Sequence, residues 1–191
     1  MSQDDPPALD RRVRRTRAAL GAAIMELMIE KGYDEVTVQD IIDRADVGRS
    51  TFYARFTHKE DLLAFSIDNL RSAVSEASTG GKADQPFGFS LPLLRHVHGQ
   101  HVLYRALVGR RGGATVLHWF ARMISDLVRE NLATHQLPAD IDIDEAVAFI
   151  AGGFNSLLTS WVDNETERTP EDLDRIFRTL VDRGIGLQHP T

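Results

Sequence analysis

The stretch TVQDIIDRADVGRSTFYARFTHKEDL, Thr37 to Leu62, decides the fold. Thr37 can cap a helix while Asp40, three residues on, supplies the acidic partner of a capping box; Val38, Ile41, Ile42 and Ala45 then share the buried face. Ala45-Asp46-Val47-Gly48 turns the chain, because Asp and Gly tolerate the dihedrals of a tight turn. A second short helix is predicted over 49–56. Thr57 followed by Glu60 marks a further start, leading into Leu62, Leu63, Phe65, Ile67 and Leu70. Upstream, Leu20, Ile24, Leu27 and Met28 give helical spacing between Val13 and Lys31, and Gly32 supplies a left-handed stop. The first 75 residues therefore read as helices joined by short connections.

Two short helices around a glycine-containing turn outline a helix-turn-helix, whose second helix enters the DNA major groove. Helical geometry separates its two faces. Phe52 and Phe56 lie four apart and share a face that packs on the first two helices, with Val47 joining it. Arg49, Ser50, Tyr53 and Ala54 fall on another face. Arginine can hold guanine through two hydrogen bonds, hydroxyls commonly hold phosphates, and the small Ala54 allows close approach. The alternative is an ordinary packing motif with a solvated basic helix.

Charge is consistent with a polyanion at this end of the chain. The 191 residues carry a formal net charge of −6, which disfavours nonspecific nucleic-acid binding by the whole protein. Yet Arg44, Arg49, Arg55 and Lys59 meet a single acid, Asp46, across 44–59, and five arginines with no acid occupy 11–17. Those five read equally as a solvated tail or as an arm that touches DNA.

Composition bounds the rest. With 42% apolar and 26% charged residues the chain suits a globular protein, and zero cysteines exclude disulfides, thiolate metal sites and cysteine nucleophiles. A cytoplasmic location is expected. The apolar run behind the arginines is broken by Glu26 before a secretory pattern is complete. The longest uncharged run, 146–162, is too short and too polar for a membrane span of roughly 20 apolar residues, so no membrane partner is expected.

From Thr37 to Leu62, and back through the first helix, the sequence resembles the DNA-binding region of the TetR family of bacterial transcriptional regulators. The resemblance covers about a third of the chain. It implies that Thr37, Ser50, Thr51, Tyr53 and Lys59 touch double-stranded DNA, Tyr53 and Lys59 mainly on phosphates; Arg49 and His58 are added as neighbours in the same stretch. Asp46 stands where the turn most often has glycine, and Gly48 where a serine or threonine usually caps the recognition helix.

Beyond a Gly, Ser and Pro-rich loop at 78–90, helical patterns recur at 91–108, 114–132, 143–162 and 170–183, with no alternating strand pattern. An all-α fold follows, with an N-terminal tail (1–12), a helix-turn-helix domain of three helices (13–58) and a C-terminal helical bundle (59–191). The family resemblance implies that this bundle forms a homodimer interface and a small-molecule effector pocket. Phe149, Gly153, Phe154, Leu157, Trp161, Ile176 and Leu180 are the interface candidates, because 143–162 is apolar over more than one face and 170–183 carries a similar stripe. Burial within one chain is the alternative. Gly152-Gly153 costs about 1 kcal/mol per residue in a helix, which close approach of another helix would offset.

Phe89, His101, Tyr104, His118, Trp119 and Met123 are candidates for the pocket, apolar with a few polar groups. His96, His98 and His101 raise a metal hypothesis, but His96 and His98 do not share a helical face and no third ligand falls at the right spacing, so neither metal nor cofactor is expected. The expected function is an effector-modulated regulator of transcription, a repressor in the family's commonest mode. A helical hydrolase using the histidines is the rival, and it lacks paired carboxylates, a phosphate loop and HExxH. An RNA-binding role is disfavoured by the absence of an open aromatic platform.

Overall fold

A computed structural model of the chain describes residues 6–79, 86–108, 113–135, 137–164 and 167–185. The first residues of the expected tail (1–5) and the centre of the expected loop (80–85) lie outside the described residues. Among the described residues every regular element is helical: α1 (Pro6–Lys31), α2 (Val38–Ala45), α3 (Arg49–Tyr53), α4 (Lys59–Thr79), α5 (Ser90–Gly99), α6 (His101–Val108), α7 (Gly113–Leu132), α8 (Ile143–Asp163) and α9 (Pro170–Ile185).

The predicted punctuation operates. Gly32 stops α1 at φ 83°, and its amide bonds the Met28 carbonyl at 3.1 Å. Thr37 and Asp40 form a reciprocal capping box at the start of α2. Asp142 with Glu145 does the same for α8, and Thr169 with Asp172 closes the start of α9, where Pro170 occupies the first helical position.

Three boundaries differ from the sequence reading. Helix α1 begins at Pro6, ahead of Val13, since prolines are tolerated in a first turn whose amides need no intrahelical partner. The helix expected over 91–108 is two helices, because Gln100 leaves helical geometry at φ −116°, ψ 31° directly after Gly99. Helix α3 ends at Tyr53, and its last turn tightens: the amide of Arg55 reaches the Phe52 carbonyl at 2.9 Å.

One continuous core joins the two halves. Leu20, Ile24 and Met28 of α1 meet Ile41 of α2, Phe52 of α3 and Leu62 and Leu63 of α4, all essentially inaccessible. The same cluster continues through Leu93, Ile124, Phe154 and Phe177 in the C-terminal helices. Helix α1 packs on α2, α4 and α6, so the N-terminal helices rest on the bundle through the longest of them. Phe87 anchors the entry to the bundle from an unfavourable left-handed conformation (φ 58°). It is buried against the rings of Phe89 and Phe177, while its amide bonds Asn131 Oδ1 and its carbonyl accepts from Ser90 and Arg178.

Candidate functional site

A helix as short as α3 is not stable alone. Packing holds it. Phe52 is fully buried, Phe56 nearly so, and their rings lie 5.8 Å apart; Phe56 in turn meets Phe65 of α4 at 5.6 Å. With that face anchored, Arg49, Ser50 and Tyr53 point to solvent, Tyr53 with 47% exposure. The Arg49 guanidinium sits 5.7 Å from the centre of the Tyr53 ring, a cation–π contact that pre-positions both groups. Thr51 is half-buried, and His58 is exposed beyond the turn.

The rest of the local positive charge is used inside the fold, contrary to the sequence reading. Arg44 is held by α1: its Nη1 and Nη2 donate to Glu30 at 2.8 and 2.7 Å, and Nη1 also to Glu26 at 3.1 Å. The Arg44 hydrogen bond keeps the Glu30 carboxyl below its ordinary range. Arg55 turns its Nη1 back to the Thr51 carbonyl at 3.1 Å. Lys59 does not present its ammonium at the surface of α3. It donates to the carbonyls of Tyr33, Asp34 and Val36 at 2.9, 3.2 and 2.8 Å and lies 4.5 Å over the Tyr33 ring. An ammonium has three protons, so none is left for a phosphate. Thr37 is similarly engaged, its hydroxyl and amide both donating to Asp40 Oδ2 at 2.6 and 2.7 Å. At the start of α4 the cap is Asp61, which accepts from the amides of Thr57 and His58; the expected partner, Glu60, is one residue short of it.

The arginines 11–17 belong to α1 rather than to a tail, and Arg17 stacks 5.2 Å from the Phe65 ring. On α3 and the turn after it the outward-facing chemistry is that of Arg49, Ser50, Tyr53 and their neighbour His58, while Arg11, Arg12, Arg14 and Arg15 are exposed on α1.

In the bundle, α8 and α9 leave an apolar face uncovered. Phe149 is 63% and Leu180 57% exposed; with Gly153, Leu157 and Gly184 they border a groove of about 490 Å³. A side chain added at Gly152 or Gly153 would meet nothing within 4 Å among the described residues, so none of the described helices makes the close approach expected there. Phe154 and Trp161 do not belong to this face: Phe154 packs on Phe89 and Phe177 inside the core, and Trp161 is buried with its Nε1 donating to the Arg168 carbonyl at 2.9 Å. Ile176 is half-buried.

A larger cavity, about 570 Å³, lies elsewhere than the sequence reading placed it. Its walls come from α1 (Met25, Glu26, Ile29), α4 (Ser66, Asn69, Leu70), the α5–α6 break (His96, Gln100), α6 (Leu103, Tyr104) and α7 (Val116, Phe120). Of the six residues expected, Tyr104 lines it. Phe89 is locked between Phe87 and Phe154, and Met123 is core. His118 is exposed, Trp119 carries Arg122 over its ring, and His101 sits half-buried at the start of α6. His96, Gln100 and Tyr104, spaced four apart across the α5–α6 break, face the space together, while the other walls come from helices distant in sequence. Met25 and Ile29, off the core stripe of α1, are the sequence signal for the cavity that was missed. Burial lowers the pKa of His96, whose ring meets Tyr104 edge-on at 5.9 Å, while His98 stacks on Trp161 instead. Among the described residues no three His, Asp or Glu side chains gather where a metal ion could sit.

Comparison with known proteins agrees with this geometry. Residues 20–64 match the family of bacterial regulatory proteins called tetR, and residues 84–183 match a transcriptional regulator C-terminal region. The HTH-type transcriptional regulator YxbF of Bacillus subtilis is 37% identical over 185 residues, which is 91% of this chain and 46% of YxbF; the chain spans under half the length of that relative. A TetR transcriptional regulator from Streptococcus agalactiae superposes with a TM-score of 0.67 at 27% identity, covering 93% of this chain and 99% of that one. NalD of Pseudomonas aeruginosa, the secondary repressor of a multidrug efflux pump, shares the fold at a TM-score of 0.65 and 17% identity, over 91% of this chain and 97% of its own.

Proposed function

Because the chain belongs to the TetR family of bacterial regulatory proteins, we propose that it is a homodimeric regulator that binds palindromic operator DNA through α3 and responds to a small molecule in the bundle. The observation that carries this reading is the division of α3 into a buried phenylalanine face and an exposed face of Arg49, Ser50 and Tyr53. Arg49 reads a base edge, and Ser50, Tyr53 and His58 hold phosphates that fix the register. Thr51, half-buried, approaches the backbone through the same helix. Repression is the mode, residues 13–58 act as the reading head, and residues 59–191 carry dimerisation and effector binding. No catalytic step is involved.

The uncovered α8–α9 face supports a four-helix contact between two copies, with the paired glycines admitting the partner's helices. Two copies place two reading helices about one turn of DNA apart, roughly 34 to 36 Å, which selects a palindrome. A cytoplasmic location fits this role; among the described residues no helix is long and apolar enough to cross a membrane. The effector site is the cavity against α1, which touches the reading unit and the bundle at once. A ligand there shifts DNA affinity only by as much as its affinity differs between the two conformations.

Selection of bound duplexes from a random pool, followed by titration of the selected site at several salt concentrations, tests the reading. The expected result is a palindrome, with log affinity falling by about 0.9 per neutralised phosphate for each unit of log salt. Arg49→Ala is expected to cost about 1 to 3 kcal/mol and relax one base position, whereas Tyr53→Phe weakens all sequences alike. Flat salt dependence, or no selected sequence, refutes it.

A further inference from the structure

We propose that the cavity between α1, α4, α6 and α7 takes an uncharged, mainly apolar ligand bearing one hydrogen-bonding group, which the Tyr104 hydroxyl meets, and that it discriminates against carboxylates. The inference deepens the effector reading and rests on it for the site's role, though not for ligand binding itself.

Its lining carries no lysine or arginine, and its one formally charged member is an acid, Glu26, whose carboxylate also accepts from Arg44 of α2 at 3.1 Å. An anion entering such a space would lose its hydration shell and meet no counter-charge, while Glu26 would repel it. Most of the wall is apolar, and the volume of about 570 Å³ is that of an ordinary small-molecule pocket. Tyr104 supplies the polar feature. It is 96% buried by its 4% exposure, lines the cavity, and its hydroxyl makes no hydrogen bond to any described residue. The hydroxyl is not among the described polar atoms sealed from solvent without a partner, so water reaches it through the cavity, and a ligand that fills the space without pairing with it strips that water at a cost a pairing ligand avoids. Burial raises the Tyr104 pKa, and partial burial lowers that of His96, so each environment favours the neutral form. Gln100, exposed at the α5–α6 break, and Asn69, exposed on α4, stand at the opening as further neutral polar groups.

Calorimetric titration of the full chain near neutral pH with two molecules of one skeleton, phenylphenol and biphenyl carboxylate, tests this. Phenylphenol is expected to bind at least about tenfold more tightly than the carboxylate, and Tyr104→Phe to remove about tenfold of the phenol's affinity while leaving the carboxylate's unchanged, the size of one hydrogen bond. Asn69→Lys, at an exposed position that does not endanger folding, is expected to raise the carboxylate's affinity several-fold by adding a cation at the opening. Equal or tighter binding of the carboxylate by the unaltered chain, no binding of the phenol, or a phenol affinity indifferent to Tyr104→Phe in a variant with an unchanged melting temperature overturns the proposal. Operator affinity measured alongside separates the two readings. A phenol that binds as described without changing DNA affinity supports the ligand class and refutes the regulatory role, whereas a carboxylate that binds better and releases DNA does the reverse.

Discussion

Lys59 Nζ sits 4.5 Å over the Tyr33 ring and 2.9 Å from the Tyr33 carbonyl, so the start of α4 is fastened to the loop between α1 and α2. A cation satisfied by three carbonyls is a structural fastener, and hydrogen bonds to a charged group are worth about 1.5 to 3 kcal/mol. Lys59→Met is expected to lower the unfolding free energy measured by urea titration by an amount in that range. The slope of log affinity against log salt distinguishes this role from phosphate binding: it stays unchanged in the variant, whereas loss of a phosphate contact would reduce it by about 1.

The turn before α3 holds two residues that depart from the best local choice. Asp46 ends α2 in the left-handed region at φ 51°, ψ 51°, where a side chain costs up to about 1 kcal/mol relative to glycine. Gly48 begins α3 at φ −69°, ψ 147° without a side-chain cap. A Cβ there would make ordinary contacts with Thr51 Oγ1 at 3.6 Å and Ser50 Oγ at 3.9 Å, so a larger residue fits. Asp46→Gly and Gly48→Ser are each expected to stabilise the fold and raise the melting temperature, the second through a gain of only a few tenths of a kcal/mol. Asp46→Gly also removes an acid beside the reading helix, and tighter operator binding at low salt is the expected second readout. Melting curves of both variants check the first claim.

Several carboxylates of the reading unit titrate below their ordinary values. Asp40 is held down by the Lys31 ammonium at 2.8 Å and then by Thr37, Glu30 by Arg44, and Asp61 by the backbone amides of Thr57 and His58. A folded pKa below the unfolded one means that protons bind the unfolded chain more readily. The stability these groups supply is therefore complete above their unfolded values, near pH 4, and is lost as pH falls from there toward the lower folded values. Urea midpoints between pH 7 and pH 3 are expected to drop below about pH 4, and Asp40→Asn to make that drop shallower. A drop of the same steepness in the variant removes Asp40 from the account.

Much of the fold was legible because local signals and tertiary packing agree. The Thr37–Asp40 box, the Gly32 stop and the Phe52–Phe56 face were each read from spacing, and each depends on residues close in sequence. What escaped depends on long-range partners. No pattern within 44–59 reveals that Glu26 and Glu30 would claim Arg44, or that carbonyls more than twenty residues upstream would claim Lys59. The cavity escaped for a related reason: its walls come from five helices that lie far apart in the sequence. Phe154 and Trp161 look like interface residues on a helical wheel, since α8 is apolar both on the side its own chain buries and on the side where Phe149 is exposed.

That ambiguity yields a direct test of assembly. Phe149 and Leu180 are exposed large apolar residues on α8 and α9, while Phe154, on the same helix as Phe149, has 1% exposure. Exposed apolar groups around a groove cost solubility unless something covers them, and a second copy offers a matching face under two-fold symmetry. Phe149→Asp and Leu180→Asp leave the monomer's contacts almost intact, so their melting temperatures at low concentration should stay near that of the parent. Both are expected to be monomers at micromolar concentration by sedimentation velocity, and to lose at least about tenfold in affinity for a palindrome, because the second reading head no longer arrives with the first. Phe154→Ala should behave in the opposite way, costing about 3 to 5 kcal/mol of stability through a core cavity while retaining the α8–α9 surface. A Phe149→Asp variant that still sediments as a dimer would move the contact between copies away from this face, and with it the spacing of the two α3 helices.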